Sequence, residues 1–420
     1  MLEYDPQKRI TSKGVVEQLK SIREKLARKE EELRQLCASD SQVELVNKIQ
    51  DLSRYGINMN AKGNDGWNAL HSLCRYNSYV NKIDSINLLI ELGLDVHATS
   101  NNGRNALHIV CRFNSTANVI DAIQMLLQLG IDVNAKDDDG CNALHHLCEN
   151  HSSAYLDDAI LILMKCGINM NAKGNDGCNA LHSLCRYNSD VNLIDSIKLL
   201  IELGLDVHAT SNKGWNALHI VCRFNSTANV IEAIQMLLQL GIDVNAKDDD
   251  GCNALHHLCE NHSSANLVGA IRILIQCGID VNVKVNDGSN ALHYLCRFNS
   301  SSNLITAMKF LIKSNIDAKE KSNDGSNALH YLCRYNSSSN LTDAIKLLID
   351  SGIDAKEKDK DGSNAAYYLS QYCKHSNLTN AIQILDNFRL FEGHSTPKHP
   401  ELVATISRIL IIFGGWVLYS

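Results

Sequence analysis

The chain has 420 residues, more than a single hydrophobic core usually supports, so it forms either several domains or an elongated repeat array. Hydrophobic residues make up 45% and charged residues 21%, with three prolines, which is the composition of a folded chain and argues against long disordered linkers. The formal net charge of -7 carries no basic excess, which argues against sequence-independent nucleic-acid binding and against general attraction to anionic lipid.

The first residues are charged throughout and contain no secretory signal. Fifteen cysteines, an odd number spread at regular spacing, read as reduced thiols of a cytoplasmic protein rather than a disulfide framework. In that setting sequons such as Asn114-Ser115-Thr116 carry no glycan.

From Ser12 to Cys37, Leu19, Ile22, Leu26, Leu33 and Leu36 recur at alternating three- and four-residue steps, interrupted by Lys29. Residues 1–42 are therefore an N-terminal helical segment. Two readings stand: a helix that caps the neighbouring repeat, or a coiled coil that dimerises or binds a partner. Ser41 to Gly56 carries Val43, Val46, Ile49 and Leu52 with helical spacing and a closing glycine, so it reads as half a repeat.

Asn-Ala-Leu-His then begins at Asn68, Asn105, Asn142, Asn179, Asn216, Asn253, Asn290 and Asn327, each 37 residues after the last, with a degenerate ninth copy at Asn364. The stretch Asn60 to Met170 recurs as Asn171 to Val281 with few changes, an internal duplication of three repeats. A fixed period of this size marks a stacked solenoid whose units cannot bury their apolar faces alone.

The unit from Asp138 to Gly174 shows the elements in order. Asp139-Gly140 is a tight turn, because glycine takes a positive backbone dihedral at no steric cost. Asn142 is a helix N-cap, and Ala143, Leu144, Leu147 and Cys148 give a short inner helix. After a polar turn at 150–153, Leu156, Ala159, Ile160, Leu163 and Met164 form the stripe of an outer helix. Gly167 closes it in the left-handed conformation, and where one repeat lacks that glycine the residue is Asn315, the other type that tolerates it.

A turn, a short helix, a second turn, a longer helix and a glycine cap resemble the ankyrin repeat, whose Thr-Pro-Leu-His run appears here as Asn-Ala-Leu-His. The resemblance covers residues 43–390, half a repeat plus nine repeats. It implies an all-α ankyrin solenoid of helix-turn-helix units with projecting β-turn loops. The repeat is about four residues longer than the family's usual 33. The extra residues fall between the two helices, at segments such as Tyr76 to Asn81 and Phe298 to Asn303, which are expected to protrude.

The last repeat has Tyr367 where histidine is expected. Residues 391–420 form a C-terminal tail with a hydrophobic segment at 402–419. That segment is short for a membrane span, and Gly414-Gly415 weakens it as a helix. A tail anchor and a docked segment both stay open, and membrane contact is expected only through this tail.

His-x-x-Cys recurs on the inner helix of each of the eight intact copies, as at His71 with Cys74 and His182 with Cys185. Each unit supplies one pair, and stacked pairs lie on the order of 10 Å apart, so no zinc site is expected from them. The cysteine reads as a small buried hydrophobe. The resemblance implies that the histidine bonds backbone groups of neighbouring turns. No unique nucleophile with its base, phosphate-binding loop or complete calcium loop is present, so neither an enzyme nor a cofactor is implied.

Ankyrin arrays bind proteins on the concave surface made by turns and inner helices, and the resemblance carries that expectation here. The residue after the turn glycine varies while its neighbours do not, which picks out Trp67, Arg104 and Trp215 as exposed turn-tip contacts. Arg75, Arg112, Arg186, Arg223, Arg297 and Arg334 share one position at the end of the inner helix, each followed by Tyr or Phe. Glu149 and Glu260 interrupt this row and would set an alternating charge pattern suited to an extended acidic partner. The row has a second reading, in which the arginines pack over their own turns. The function expected is a scaffold or adaptor binding a protein of unknown identity; the alternative is an ankyrin protein held at a membrane by its tail.

Overall fold

A computed structural model describes residues 12–39, 44–76, 82–113, 118–149, 155–187, 193–225, 229–261, 266–336, 340–372 and 378–387. The tail at 391–420 and the inter-helix segment at 77–81 lie outside the described residues.

Among the described residues twenty helices carry the fold, with no strand and only an isolated bridge between Lys358 and Asn364. After α1 (Ser12–Ala38) and α2 (Leu45–Ser53), inner and outer helices alternate. The inner ones are α3 (Ala69–Tyr76), α5 (Ala106–Phe113), α7 (Ala143–Cys148), α9 (Ala180–Tyr187), α11 (Ala217–Phe224), α13 (Ala254–Glu260), α15 (Ala291–Phe298), α17 (Ala328–Tyr335) and α19 (Ala365–Tyr372). The outer ones are α4 (Lys82–Glu91), α6 (Asn118–Gln128), α8 (Leu156–Lys165), α10 (Leu193–Glu202), α12 (Val230–Gln239), α14 (Leu267–Gln276), α16 (Leu304–Lys313), α18 (Leu341–Asp350) and α20 (Leu378–Asn387).

The helices group into two compact units, residues 1–220 and 221–420. In the first, α3, α5, α7 and α9 pack in sequence as one layer, and α2, α4, α6, α8 and α10 as a second. In the second unit α13, α15, α17 and α19 form one layer and α12, α14, α16, α18 and α20 the other. The core lies between the layers. Leu144, Leu147, Cys148, Ala159, Ile160 and Leu163 are fully buried there, as their spacing predicts. The His-x-x-Cys cysteines are core residues too: Cys74 and Cys148 are inaccessible, and burial pushes the Cys185 thiol up to about 12.

Each inner helix starts on its asparagine. Asn142 accepts from the N–H groups of Leu144 and His145, while the His145 ring accepts from the Asn142 N–H at 3.3 Å, a reciprocal cap with histidine in the usual glutamate position. The other ring nitrogen reaches the next repeat, donating to Cys178 O at 3.2 Å. His71, with Arg104 O at 3.0 Å, and His182, with Trp215 O at 3.0 Å, do the same. In these three repeats the histidine bonds its own helix start to a neighbouring turn, as the resemblance implies.

Turns are strung together by backbone bonds: Asp138 N–H donates to Asn102 O at 3.1 Å and Asn175 N–H to Asp139 O at 2.8 Å. This close approach explains Gly140, which has φ 74° and where a Cβ would lie 2.5 Å from Asn175 Oδ1. Asn315 takes φ 64°, the one described non-glycine with positive φ, as its position predicts.

Among the extra residues, the segment 299–303 does not project freely. Asn299 is buried, its side-chain oxygen accepts from the N–H and Oγ–H of Ser301, and its carbonyl accepts from Asn336 Nδ2 at 2.7 Å. A buried amide that can bond the next repeat is held in, whatever the length of its loop.

The C-terminal half of α1 packs on α2 and α3, burying Leu33 and Cys37, while Glu30 accepts from Asn58 N–H at 3.1 Å and Arg34 donates to Ala61 O at 3.2 Å. That half behaves as a cap. The N-terminal half does not pack: Val15, Val16, Leu19 and Ile22 are 41–60% exposed.

Candidate functional site

The six arginines stand at the C-terminal ends of inner helices, where a cation also complements the helix dipole. Their surroundings divide them. Arg112 pairs with Glu149 and also contacts His146 Nδ1 at 3.2 Å, and Arg223 lies 2.7 Å from Glu260. The two glutamates therefore do not present an alternating charge to a partner. Each sits 37 residues after an arginine, at the same position of the next repeat, where stacking brings it against that arginine and neutralises it.

Three arginines stack on aromatic rings without an ion pair among the described residues. The Arg75 guanidinium lies over Phe113 at 4.3 Å, Tyr76 at 4.9 Å and Trp67 at 5.2 Å. In the second unit Arg297 lies over Phe298 at 4.8 Å and Tyr335 at 4.9 Å. Arg334 lies over Tyr335 and Tyr368, both at 5.2 Å, and over Tyr372 at 5.8 Å. Arginine and aromatic ring alternate along this edge, above a groove lined by Arg297, Asp324, Ser326, His330, Tyr331, Arg334 and Tyr335. Arg186 is exposed over Tyr187, at 5.2 Å.

The three turn residues are half-buried, not exposed. Trp67 turns toward its own inner helix, with Tyr76 at 6.3 Å, and so joins the Arg75 cluster. Trp215 gives its backbone N–H to Ser211 Oγ at 3.2 Å, and its carbonyl accepts from His182. Arg104 is held by the next turn, donating from Nε to Asp137 Oδ2 at 3.1 Å and lying 3.4 Å from Asp139. A single unit contains nothing that would cover the tip of its turn; the next unit's acidic turn does so.

Arg104 leads into a buried network that is not legible in the motif. Asp137 Oδ2 also meets His146 Nε2 at 2.8 Å, and the far nitrogen of that ring faces Glu149. Burial alone would raise the Asp137 carboxyl, but His146 and Arg104 more than offset it and hold it well below the usual carboxylate range. Burial alone would lower His146, and the bonds to Asp137 and Glu149 reverse that, so its pKa is raised. The duplicate has Asp248 and His257 at the same 2.8 Å, and the ninth repeat substitutes tyrosine, with Tyr368 donating to Asp359 at 2.5 Å. Around Asp248, donor atoms of Asp248, Cys252 and His257 all lie within 4.8 Å of one another, each residue buried. The sequence signal for this is an acid opening the turn and a histidine nine residues on, repeated 111 residues apart.

The family model for ankyrin repeats, three copies in length, matches in overlapping placements at residues 33–137, 78–172, 115–211, 151–248, 189–285, 227–319 and 262–359. Among solved structures, the ankyrin repeat domain of Bcl-3, described as a unique member of the IkappaB protein family, aligns at 23% identity over 59% of this chain and 100% of that one, with a TM-score of 0.42. No curated protein is significantly similar to the chain. A 37-residue unit of turn, capped inner helix and outer helix, matched by the family model from residue 33 to residue 359, makes the chain a member of the ankyrin-repeat family.

Proposed function

We propose that the chain is a cytoplasmic scaffold or adaptor that binds an extended acidic segment of a partner protein, without a catalytic step, along the arginine and aromatic edge of its inner helices. One observation carries this reading: Arg297 and Arg334 are held between Phe298, Tyr335, Tyr368 and Tyr372 with no carboxylate paired to them among the described residues. Stacking fixes the guanidinium planes while leaving their N–H forks available, and a planar fork matches a carboxylate with two parallel bonds. A row of such forks suits an extended chain with acidic side chains. Arg75 with Trp67 offers the same chemistry in the first unit, whereas Arg112, Arg223 and Arg104 are spent on internal ion pairs.

The test is selection of binding peptides by the full chain from a random display library, followed by affinity measurement at two salt concentrations. Enrichment of Asp- and Glu-rich sequences, with at least a tenfold loss of affinity in Arg297→Ala/Arg334→Ala, is the expected result. Equal binding by the folded double variant would refute this site and move attention to Trp67 and Arg75.

A further inference from the structure

We propose that Asp248, Cys252 and His257 form a binding site for a divalent transition-metal ion of the zinc type. Three kinds of donor meet there: a carboxylate oxygen, a thiol sulfur and an imidazole nitrogen, all within 4.8 Å of one another. The residues are 7%, 4% and 3% exposed, so the site is enclosed and its ligands are fixed by packing. Sulfur and nitrogen donors select zinc-like ions over calcium or magnesium, which take oxygen ligands.

The chain holds the donors in place before any ion arrives. Asp248 opens the turn, and its Oδ1 accepts from Cys252 N–H at 2.7 Å and Asp250 N–H at 3.0 Å, leaving Oδ2 directed at His257 Nε2. His257 projects from the middle of α13, nine residues after the aspartate. Ligands about 2.0–2.3 Å from a tetrahedral ion stand roughly 3.3–3.7 Å apart, so the 2.8 Å Asp–His pair opens by under an ångström as the ion takes the place of the shared proton. Binding releases the thiol proton to solvent and moves the Nε2 proton to Nδ1 by tautomerisation, which leaves a thiolate, a neutral imidazole coordinating through Nε2 and a carboxylate around the ion.

The next shell fits as well. Tyr294 O–H lies 3.3 Å from Cys252 Sγ, placed to donate to the thiolate, and a water completes four ligands.

The sister copy is an internal control. There Arg104 already places a cation on Asp137 Oδ2, at 3.1 Å, and Ser183 stands where the duplicate has Tyr294. In the duplicate the position of Arg104 is taken by Trp215, which supplies no charge. Two near-identical cassettes thus differ at the residues that would exclude or support a metal ion.

The experiment uses the full chain, stripped with a chelator and titrated with Co2+, whose tetrahedral thiolate complexes give a near-ultraviolet charge-transfer band and visible bands. One equivalent is expected to produce both, and Zn2+ to abolish them. Cys252→Ser and His257→Gln lose the bands, while Cys141→Ser and Cys259→Ser keep them. Absence of a thiolate band, or its persistence in Cys252→Ser, overturns the site. If His257→Gln does not fold, the near-isosteric Cys252→Ser decides alone, with circular dichroism confirming its helix content.

Discussion

His146 and Asp137 are nine residues apart in sequence and 2.8 Å apart in space, buried together, with Arg104 of the preceding repeat on the same carboxylate oxygen. The acidic turn of one repeat is in this way tied both to its own inner helix and to the turn before it. Removing the carboxylate leaves a guanidinium and a buried imidazole without their anion, the situation in which a broken buried pair costs most. Asp137→Ala is expected to lower stability by about 3–5 kcal/mol. Asp139→Ala, whose side chain is 73% exposed at the rim of the same cluster, should cost under about 1 kcal/mol. Urea denaturation of both variants, followed by circular dichroism, measures the difference; equal effects would show that the buried contact is not structural.

The scaffold histidines set the response to acid. Burial lowers the pKa of His71, His145, His182 and His330, takes His108 and His293 to about 4 and takes His256 to about 3. Between the ordinary value of 6.5 and those depressed values the unfolded chain binds protons that the folded chain refuses. The stability they contribute is therefore present above pH 6.5 and lost as pH falls toward 4. His146 runs the other way, since its raised pKa adds stability at low pH that is lost as pH rises through the folded value. Seven groups against one give the net direction. Midpoints of thermal unfolding are expected to fall steadily from pH 7 to pH 4.5, and a midpoint that rises below pH 6 would contradict the assignment.

The architecture is legible in the sequence because it rests on local chemistry repeated many times. Asn142 caps, Leu144 and Leu147 point inward and Gly167 reverses the chain for reasons contained in a few residues. Asn315 is readable for the same reason, since few residue types accept a φ of 64°. Pairing between units is what stays hidden. Nothing local says that Glu149 will meet Arg112 or that Arg104 will fold back onto Asp137, because both contacts depend on the register in which one repeat stacks on the next. Trp67 and Arg75 stand eight residues apart as two separate features of the chain, and only packing makes them one cluster. His146 is masked by its neighbour His145, whose motif already accounts for a histidine at that point of the helix.

Capping by α1 can be separated from anything its free half does. Leu33 is 2% exposed and packs where α1 meets the first inner helix, whereas Leu19 is 60% exposed on the same apolar seam. Leu33→Ala should cost about 2–5 kcal/mol, the range for a leucine truncated in a packed core. Leu19→Ala should leave stability within about 0.5 kcal/mol, as exposed sites do. Limited proteolysis reads the same distinction, with faster cleavage near residue 40 expected in Leu33→Ala alone. A stability loss in Leu19→Ala that grows with protein concentration would show that the exposed seam pairs in solution.

Two glycines of equal conformation predict unequal outcomes. Gly130 and Gly140 both have positive φ, 82° and 74°. A methyl group at Gly130 meets nothing within 4 Å, so Gly130→Ala bears only the left-handed backbone penalty of about 1–2 kcal/mol. At Gly140 the same methyl would lie 2.5 Å from Asn175 Oδ1 and 2.9 Å from Asn175 N. The Asn175 amide can rotate away, but its backbone N is bonded to Asp139 O at 2.8 Å, so relief requires parting two adjacent turns. Gly140→Ala is therefore expected to cost more than Gly130→Ala and to speed hydrogen exchange at Asn175 N–H, which the Gly130 variant leaves protected. Equal costs with unchanged exchange would mean that the turns are not in register contact and that Gly140 serves only its own loop.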